Sequence, residues 1–122
     1  MENSLRSSTK EKGKQGEELA VTFLIEKGFE IVERNYRYGK GELDIIAREK
    51  EFLVFVEVKS RESLEYGLPE EAVTKRKIAQ IRKIAEAYLS EKGITDENIR
   101  FDVVAILSLN NEVTMNHYEN AF

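Results

Sequence analysis

The chain has 122 residues, of which 41% are hydrophobic and 34% are charged, with a formal net charge of −4. This length suits one domain with a real core, and the composition is that of an ordinary soluble globular protein. The absence of cysteine and the presence of one histidine exclude disulfides, thiol catalysis, cysteine-ligated zinc and multi-histidine metal sites. Any metal must be bound mostly by oxygen, which favours Mg²⁺ or Mn²⁺. We expect a cytoplasmic protein without membrane contact, because the sequence contains no apolar run of membrane-spanning length and no signal-peptide core.

The net negative charge argues against a protein that coats nucleic acid by charge alone. It does not argue against an enzyme that acts on DNA, because acids at a metal site lower the net charge while basic patches lie elsewhere. Any single basic patch is better interpreted as a solvated surface with salt-bridge partners. The basic patches are Lys10, Lys12 and Lys14; Arg34, Arg37 and Lys40; and Lys75, Arg76, Lys77, Arg82 and Lys83.

The first predicted element is a helix over residues 11–27, where apolar residues recur at helical spacing before Gly28, a natural C-terminal cap. Residues 1–10 lack periodicity, which predicts a disordered tail before a single domain spanning residues 11–122. A short strand is expected over residues 29–34. The polar and aromatic segment 35–40 is predicted to be a loop.

The next two strands are predicted over residues 41–48 and 52–60. The short polar connection 49–51 favours an antiparallel hairpin. Residues 52–60 are apolar at both parities except at Glu57 and Lys59. Such a run is typical of a central strand that is covered on both faces.

The second half of the chain predicts a loop, one long helix and two strands. Pro69 is followed by two acids that suit a helix N-terminus, so we expect a helix from there to Glu91, ended by Gly93. Strands follow over residues 99–109 and 112–118. The order αβββαββ predicts an α/β fold in which a mixed β-sheet has a helix on each face.

Asp44, Glu57 and Lys59 form the constellation that carries chemistry. Ionised groups are rare in a buried strand unless they are paired or bind a metal, and alternation puts Glu57 and Lys59 on one face. Two acids on neighbouring strands can bind Mg²⁺, which polarises a phosphoryl oxygen and activates water, while the lysine offsets developing charge. This chemistry is phosphodiester hydrolysis. A buried structural salt bridge is the competing interpretation, but burying charges for stability alone is often no better than apolar packing.

Several stretches in order resemble the PD-(D/E)xK nuclease superfamily. More closely, the chain resembles the YraN-like (UPF0102) family of predicted bacterial endonucleases, which is similar to archaeal Holliday junction resolvases. The resemblance covers about residues 13 to 107 and includes Lys77 on the long helix. The matching stretches are Gly13-Lys14-Gln15-Gly16-Glu17-Glu18-Leu19-Ala20, Gly41-Glu42-Leu43-Asp44-Ile45-Ile46-Ala47, Val54-Phe55-Val56-Glu57-Val58-Lys59-Ser60-Arg61 and Arg100-Phe101-Asp102-Val103-Val104.

The resemblance implies a restriction-endonuclease-like core, a divalent metal (Mg²⁺ or Mn²⁺) and a DNA substrate. It implies that Asp44 and Glu57 bind the metal and that Lys59 is the catalytic lysine. Glu17 on the first helix matches an acid that joins both the catalytic and the metal-binding set. Its neighbour Glu18 leaves open which of the two acids faces the site.

Other residues permit both a functional and a structural interpretation. Lys77 can reach a phosphate, or its stem can cover the core. Tyr36 and Tyr38 can stack on unpaired bases or cap the core. Asp102 is expected to pair with a basic group, and Glu42 fits a surface salt bridge as well as a site. The candidate contacts to nucleic acid are Lys77, Arg37, Lys40 and Arg61.

The hypothesis from sequence is a metal-dependent DNA endonuclease, acting on branched or duplex DNA and guided by DNA structure rather than base sequence. A domain of this size offers little surface for base readout, and it contains no helix-turn-helix or zinc module. Cutting both strands needs two sites, which makes a homodimer an expected arrangement. The alternatives are a non-catalytic nucleic-acid-binding module with the same fold and a protein-interaction adaptor.

Overall fold

The computed structural model describes residues 9–122 of the backbone and the side chains of residues 14–122. The predicted element order αβββαββ is confirmed, and a short 3₁₀ helix, Pro69–Ala72, precedes the second α-helix. The elements are α1 (Thr9–Glu26), β1 (Glu30–Tyr38), β2 (Gly41–Glu49), β3 (Phe52–Arg61), α2 (Lys75–Lys92), β4 (Asn98–Leu109) and β5 (Glu112–Tyr118).

Three boundaries differ by two or more residues from those predicted. Helix α1 begins at Thr9, and the rest of the expected tail, residues 1–8, lies outside the described residues. The predicted loop 35–40 is wrong, because β1 continues to Tyr38 and pairs with the start of β2 as far as Tyr38↔Gly41. The long helix is divided: α2 begins only after Thr74, whose side chain accepts a hydrogen bond from the Lys77 N–H, as a threonine N-cap does.

The five strands form one mixed sheet in the order β1-β2-β3-β4-β5. Strands β3 and β4 are parallel and joined by the crossover that contains α2, whereas the other neighbours are antiparallel. Strand β3 is therefore central, as predicted. This arrangement is consistent with a restriction-endonuclease-like α/β core. No helix in the described part of the chain is long and apolar enough to cross a membrane.

Each face of the sheet is covered by one helix. Helix α1 packs Ala20 and Leu24 against a face that includes Val54 and Val56 of β3. Helix α2 packs Ile81, Ile84, Ala85 and Tyr88 against the opposite face, which includes Leu53 and Phe55. Because both parities of β3 are buried, its sequence is apolar without alternation.

Gly16 lets α1 approach the end of β3 closely. A Cβ at this position would overlap Ser60 Oγ, and the next nearest atom, Ser60 Cβ, would lie 3.5 Å away. Only glycine therefore fits here without displacing the helix or the serine. The contact brings the first half of α1, which carries Glu17, to the end of β3 that carries Glu57 and Lys59.

A second constraint on the fold is a buried charge cluster centred on Asp102. Its carboxylate accepts hydrogen bonds from Arg100 Nε and Nη2, each at 2.9 Å, from the Asn120 N–H at 3.0 Å, and lies 2.8 Å from His117 Nε2. The predicted pairing of Asp102 with a basic group is thereby confirmed. Burial alone would raise the pKa of Asp102, but the hydrogen bonds from His117 and Arg100 keep it below its ordinary value.

We predict that Asp102→Ala lowers the free energy of unfolding at neutral pH by about 3–5 kcal/mol, because Arg100 is left buried without its main partner. A carboxylate with a lowered folded-state pKa stabilises the fold above the unfolded-state pKa of about 3.9. That stabilisation is lost as the pH falls through the folded-state pKa. Urea unfolding at neutral and acidic pH should show the deficit shrinking in acid. Asp96→Ala, at an exposed site, is the control and should stay within about 0.5 kcal/mol of wild type.

We predict that Gly16→Ala destabilises the protein by about 1–3 kcal/mol, the usual cost of overpacking. In a Ser60→Ala background the same substitution should stabilise instead, because the overlapping oxygen is gone and alanine favours helix over glycine by about 1 kcal/mol. A double-mutant cycle of unfolding free energies measures this. Equal effects of Gly16→Ala in both backgrounds would contradict the contact.

Candidate active site

The site lies where β2 and β3 stop pairing with each other. Their ladder runs from Glu49↔Phe52 to Ile45↔Val56 and ends there. Beyond it, Asp44 Oδ2 accepts a hydrogen bond of 2.8 Å from the Val58 N–H. The Asp44 side chain thus accepts a hydrogen bond from the backbone of β3 where the two strands no longer pair. This hydrogen bond fixes Asp44 beside the end of β3.

The alternation of β2 side chains between the two faces of the sheet is also interrupted at this point. Leu43 and Ile45 have the same parity, yet Leu43 packs in the α2 core and Ile45 in the α1 core. Asp44 lies between them. Its electrostatic neighbours include both Glu57 and Glu17, so it joins a residue on β3 with a residue on α1.

Glu57 is the buried centre of the site, with 2% of its surface exposed. Its Oε2 lies 3.7 Å from Lys59 Nζ and 3.4 Å from Lys77 Nζ. Its Oε1 is buried and has no hydrogen-bond partner among the residues that the structure describes. Lys59 thus meets Glu57 on one strand face as the sequence predicts, and α2 supplies a second ammonium group. An unpaired buried oxygen is costly unless water or an ion satisfies it.

Asp44 lies close enough to Glu57 for the charge of Glu57 to affect the ionisation of Asp44. Burial, followed by the negative charge of Glu57, raises the pKa of Asp44, while the Val58 N–H and Lys77 act in the opposite direction. The carboxylates of Asp44 and Glu57 are neighbours, and Glu57 Oε1 has no hydrogen-bond partner in the described part of the chain. Together they offer oxygen ligands to a cation. Mg²⁺ in proteins is commonly bound by one or two carboxylates with water or substrate phosphate, so these residues fit a divalent cation.

Glu17, rather than Glu18, faces the site. The Glu17 side chain is 12% exposed and that of Glu18 is 58% exposed, although both pair with Arg34, at 3.1 and 2.7 Å. Burial raises the pKa of Glu17, the hydrogen bond from Arg34 opposes that rise, and the charge of Asp44 adds to it. Glu17 therefore lies near Asp44 but is already paired.

The acids do not converge into a larger cluster. Among residues 14–122, no three His, Asp or Glu side chains are placed to bind one metal ion together. The ligands that this geometry offers are Asp44 and Glu57, with Glu17 beside them in its pair with Arg34. The sequence identifies Arg34 only as a member of a basic patch. The contact of Arg34 with Glu17 was not predicted, because it depends on how α1 crosses β1.

The candidate nucleic-acid contacts are at different distances from this centre. Lys77 lies in it. Arg61 shares the strand face of Lys59, two residues further along β3, and its buried Nε has no partner in the described part of the chain. Arg37 pairs with Glu42 at 3.2 Å on the surface, the salt bridge anticipated for Glu42. Lys40 is exposed in the turn between β1 and β2.

The two tyrosines that flank Arg37 differ. Tyr36 packs edge-to-face on Tyr88, with ring centroids 5.1 Å apart, so it caps the α2 core. Tyr38 is 49% exposed. Of the pair, Tyr38 is the ring with free surface beside the site.

The family model described as "Uncharacterised protein family UPF0102" matches residues 16–106. A UPF0102 protein of Dictyoglomus thermophilum is 47% identical over 100 residues, which cover 82% of this chain and 85% of the relative. One from Acetivibrio thermocellus is 53% identical over 95 residues, covering 77% and 73%. One from Geobacter sulfurreducens is 47% identical over 111 residues, covering 90% and 87%.

The matched range includes Glu17, Asp44, Glu57, Lys59 and Lys77, so every candidate metal ligand and both lysines of the site lie within it. The resemblance to the YraN-like family is confirmed. This chain belongs to the UPF0102 family.

Proposed function

We propose that this protein is a divalent-metal-dependent DNA endonuclease that hydrolyses phosphodiester bonds. The observation that supports it best is the environment of Glu57: two lysines lie at one oxygen, and the other oxygen is buried with no hydrogen-bond partner among residues 14–122. A carboxylate buried only for stability would be expected to have both oxygens satisfied. Perturbed, incompletely paired ionisable groups concentrate at functional sites.

The residues that would bind the metal are Asp44 and Glu57. A bound Mg²⁺ or Mn²⁺ polarises a phosphoryl oxygen and makes hydroxide available near neutral pH. The Val58 N–H holds Asp44 Oδ2 at 2.8 Å, so the orientation of this carboxylate is set by β3 itself. The chain thus fixes its donors before any ligand arrives.

Lys59 and Lys77 supply positive charge from two directions, β3 and α2. Each side chain is 28% exposed, so both ammonium groups are accessible to a substrate phosphate. In the proposed reaction Lys59 donates hydrogen bonds to the attacking water and to a non-bridging phosphoryl oxygen, where negative charge develops. Hydrolysis adds one water at phosphorus and breaks one P–O bond, and the departing oxygen takes up a proton.

The proposed substrate is DNA recognised by shape, with branched DNA favoured by the resemblance to junction resolvases. Phosphate contacts position a protein on DNA but carry no base information. The basic groups near the site, among them Lys40 and Arg61, suit this mode. Paired cuts require two sites, so we propose that the active form is a homodimer.

A non-catalytic nucleic-acid-binding module is the second candidate. Two observations favour it. The charge of Glu57 is already compensated by two lysines, and no third acid among residues 14–122 is placed to bind a metal ion together with Asp44 and Glu57. Such a module would bind phosphates at the same place without cutting.

We predict that the wild-type protein cuts at least one of four labelled DNAs (duplex, flapped, single-stranded or four-way junction) when Mg²⁺ or Mn²⁺ is present. EDTA should abolish cutting, and added Mn²⁺ should restore it. Lys59→Ala should slow cutting by about 10²–10³-fold, the usual effect of removing one preorganised donor. Glu57→Gln and Asp44→Asn should remove it, whereas Asp96→Asn, at an exposed position, should not.

Cutting that persists in both Glu57→Gln and Asp44→Asn would exclude this site as its source. Junction binding by a wild-type protein that cuts none of the four DNAs would favour the non-catalytic module.

A further inference from the structure

A groove of about 700 Å³ opens beside the active site. One wall is the turn between β1 and β2, and the other is the first half of α2. Its lining has four basic side chains and no acidic one, although the whole chain has 23 acids and 19 lysines and arginines. The basic, amide and aromatic residues that line it are Tyr38, Lys40, Arg76, Lys77, Gln80 and Lys83.

The α2 wall is a single stripe. Arg76, Gln80 and Lys83 are spaced i, i+4 and i+7, which places them on one helix face. The helix lies directly against the turn, because a Cβ at Gly41 would be 2.9 Å from the Gln80 side-chain nitrogen. The seven residue steps from Arg76 to Lys83 make the stripe about 10 Å long.

The groove is continuous with the active site through Lys77. This lysine lines the groove, and its Nζ lies 3.4 Å from Glu57 Oε2. A phosphate chain that passes the active site can therefore enter the groove without leaving basic surface.

The other cations of the groove have no acidic partner in the described part of the chain. Lys40, Arg76 and Lys83 make no salt bridge or hydrogen bond with residues 14–122. By contrast, four arginines of the sheet, Arg34, Arg37, Arg48 and Arg100, are paired with acids. Unpaired cations in an acid-free groove attract a polyanion.

The basic surface has a definite end. Past Lys83 the groove leads into a second depression, where two acids, Glu86 and Glu91, lie with the bases Lys83 and Arg37. Acids at that end oppose further phosphate contact.

We propose that this groove binds the backbone of one DNA strand on one side of the scissile phosphate, with Lys40, Arg76 and Lys83 as phosphate contacts. The exposed ring of Tyr38 offers a surface on which an unpaired base stacks. The substrate arm that lies in the groove is therefore single-stranded. The inference takes the identity of the polymer, DNA, from the proposed function.

The experiment measures binding of a labelled 12-nucleotide single strand and a 12-base-pair duplex in EDTA, over a series of salt concentrations. We expect the single strand to bind the wild-type protein more tightly than the duplex does. Arg76→Ala and Lys83→Ala should each weaken single-strand binding and reduce the slope of log K against log salt by about 0.7, the value for one lost phosphate contact.

Lys75→Ala is the matched control, because Lys75 is an exposed base on the same helix turn that does not line the groove. It should leave the slope unchanged. Tyr38→Ala should weaken single-strand binding without changing the slope, since it removes stacking and no charge. Thermal unfolding of each variant should match that of the wild-type protein, because all four side chains are on the surface.

If the slope of log K against log salt is the same for Arg76→Ala, Lys83→Ala and Lys75→Ala, the groove assignment is overturned, even if the protein cuts DNA. Tighter binding of the duplex would overturn the single-strand assignment. A slope reduced only in the groove variants of a protein that cuts nothing would support the groove while the nuclease proposal fails.

Discussion

The architecture of the site depends on a carboxylate, Glu57, that is buried in the central strand of the sheet. Removing a charge from water is costly unless it is paired, and two lysines provide the pairing here. Lys59 comes from the same strand face, so local geometry alone brings it near. Lys77 comes from α2, and its position depends on where that helix begins. The Thr74 cap places Lys77 in the first turn, directly over Glu57, so the capping residue contributes to the electrostatics of the site.

The second requirement is that β2 and β3 separate where the acids lie. A continued ladder would hold Asp44 in regular pairing, but the carboxylate of Asp44 instead accepts the Val58 N–H. The interruption of β2 between Leu43 and Ile45 accompanies this change. On the other face, the lack of a side chain at Gly16 lets α1 approach the end of β3. Backbone features on two elements thus bring acids from α1, β2 and β3 together.

The sequence predicts well what depends on local pattern. The unalternating apolar run identifies β3 as central, and strand parity pairs Glu57 with Lys59. What it predicts poorly depends on tertiary placement. The extension of β1 to Tyr38 is stabilised by pairing with β2, which outweighs the polar, loop-like composition of that segment. The choice between Glu17 and Glu18 follows from the rotation of α1 about its axis, and the pairing of Arg34 with Glu17 follows from how α1 crosses β1. Neither is encoded in spacing alone.

The acids and the cations of the site nearly balance in charge. Four acids, Glu17, Glu18, Asp44 and Glu57, lie among three cations, Arg34, Lys59 and Lys77, so the formal charges cancel except for one negative charge. The fold therefore does not need a cation to hold these acids together. A cluster without net positive charge does not attract a phosphodiester, whereas a divalent cation added to it gives a net positive site. In the proposed enzyme, then, the affinity of the active site for the scissile phosphate would depend on the metal. The affinity for the flanking strand would depend on the basic side chains of the groove that have no partner among residues 14–122. Chelation would therefore weaken binding at the active site, and salt would weaken binding in the groove.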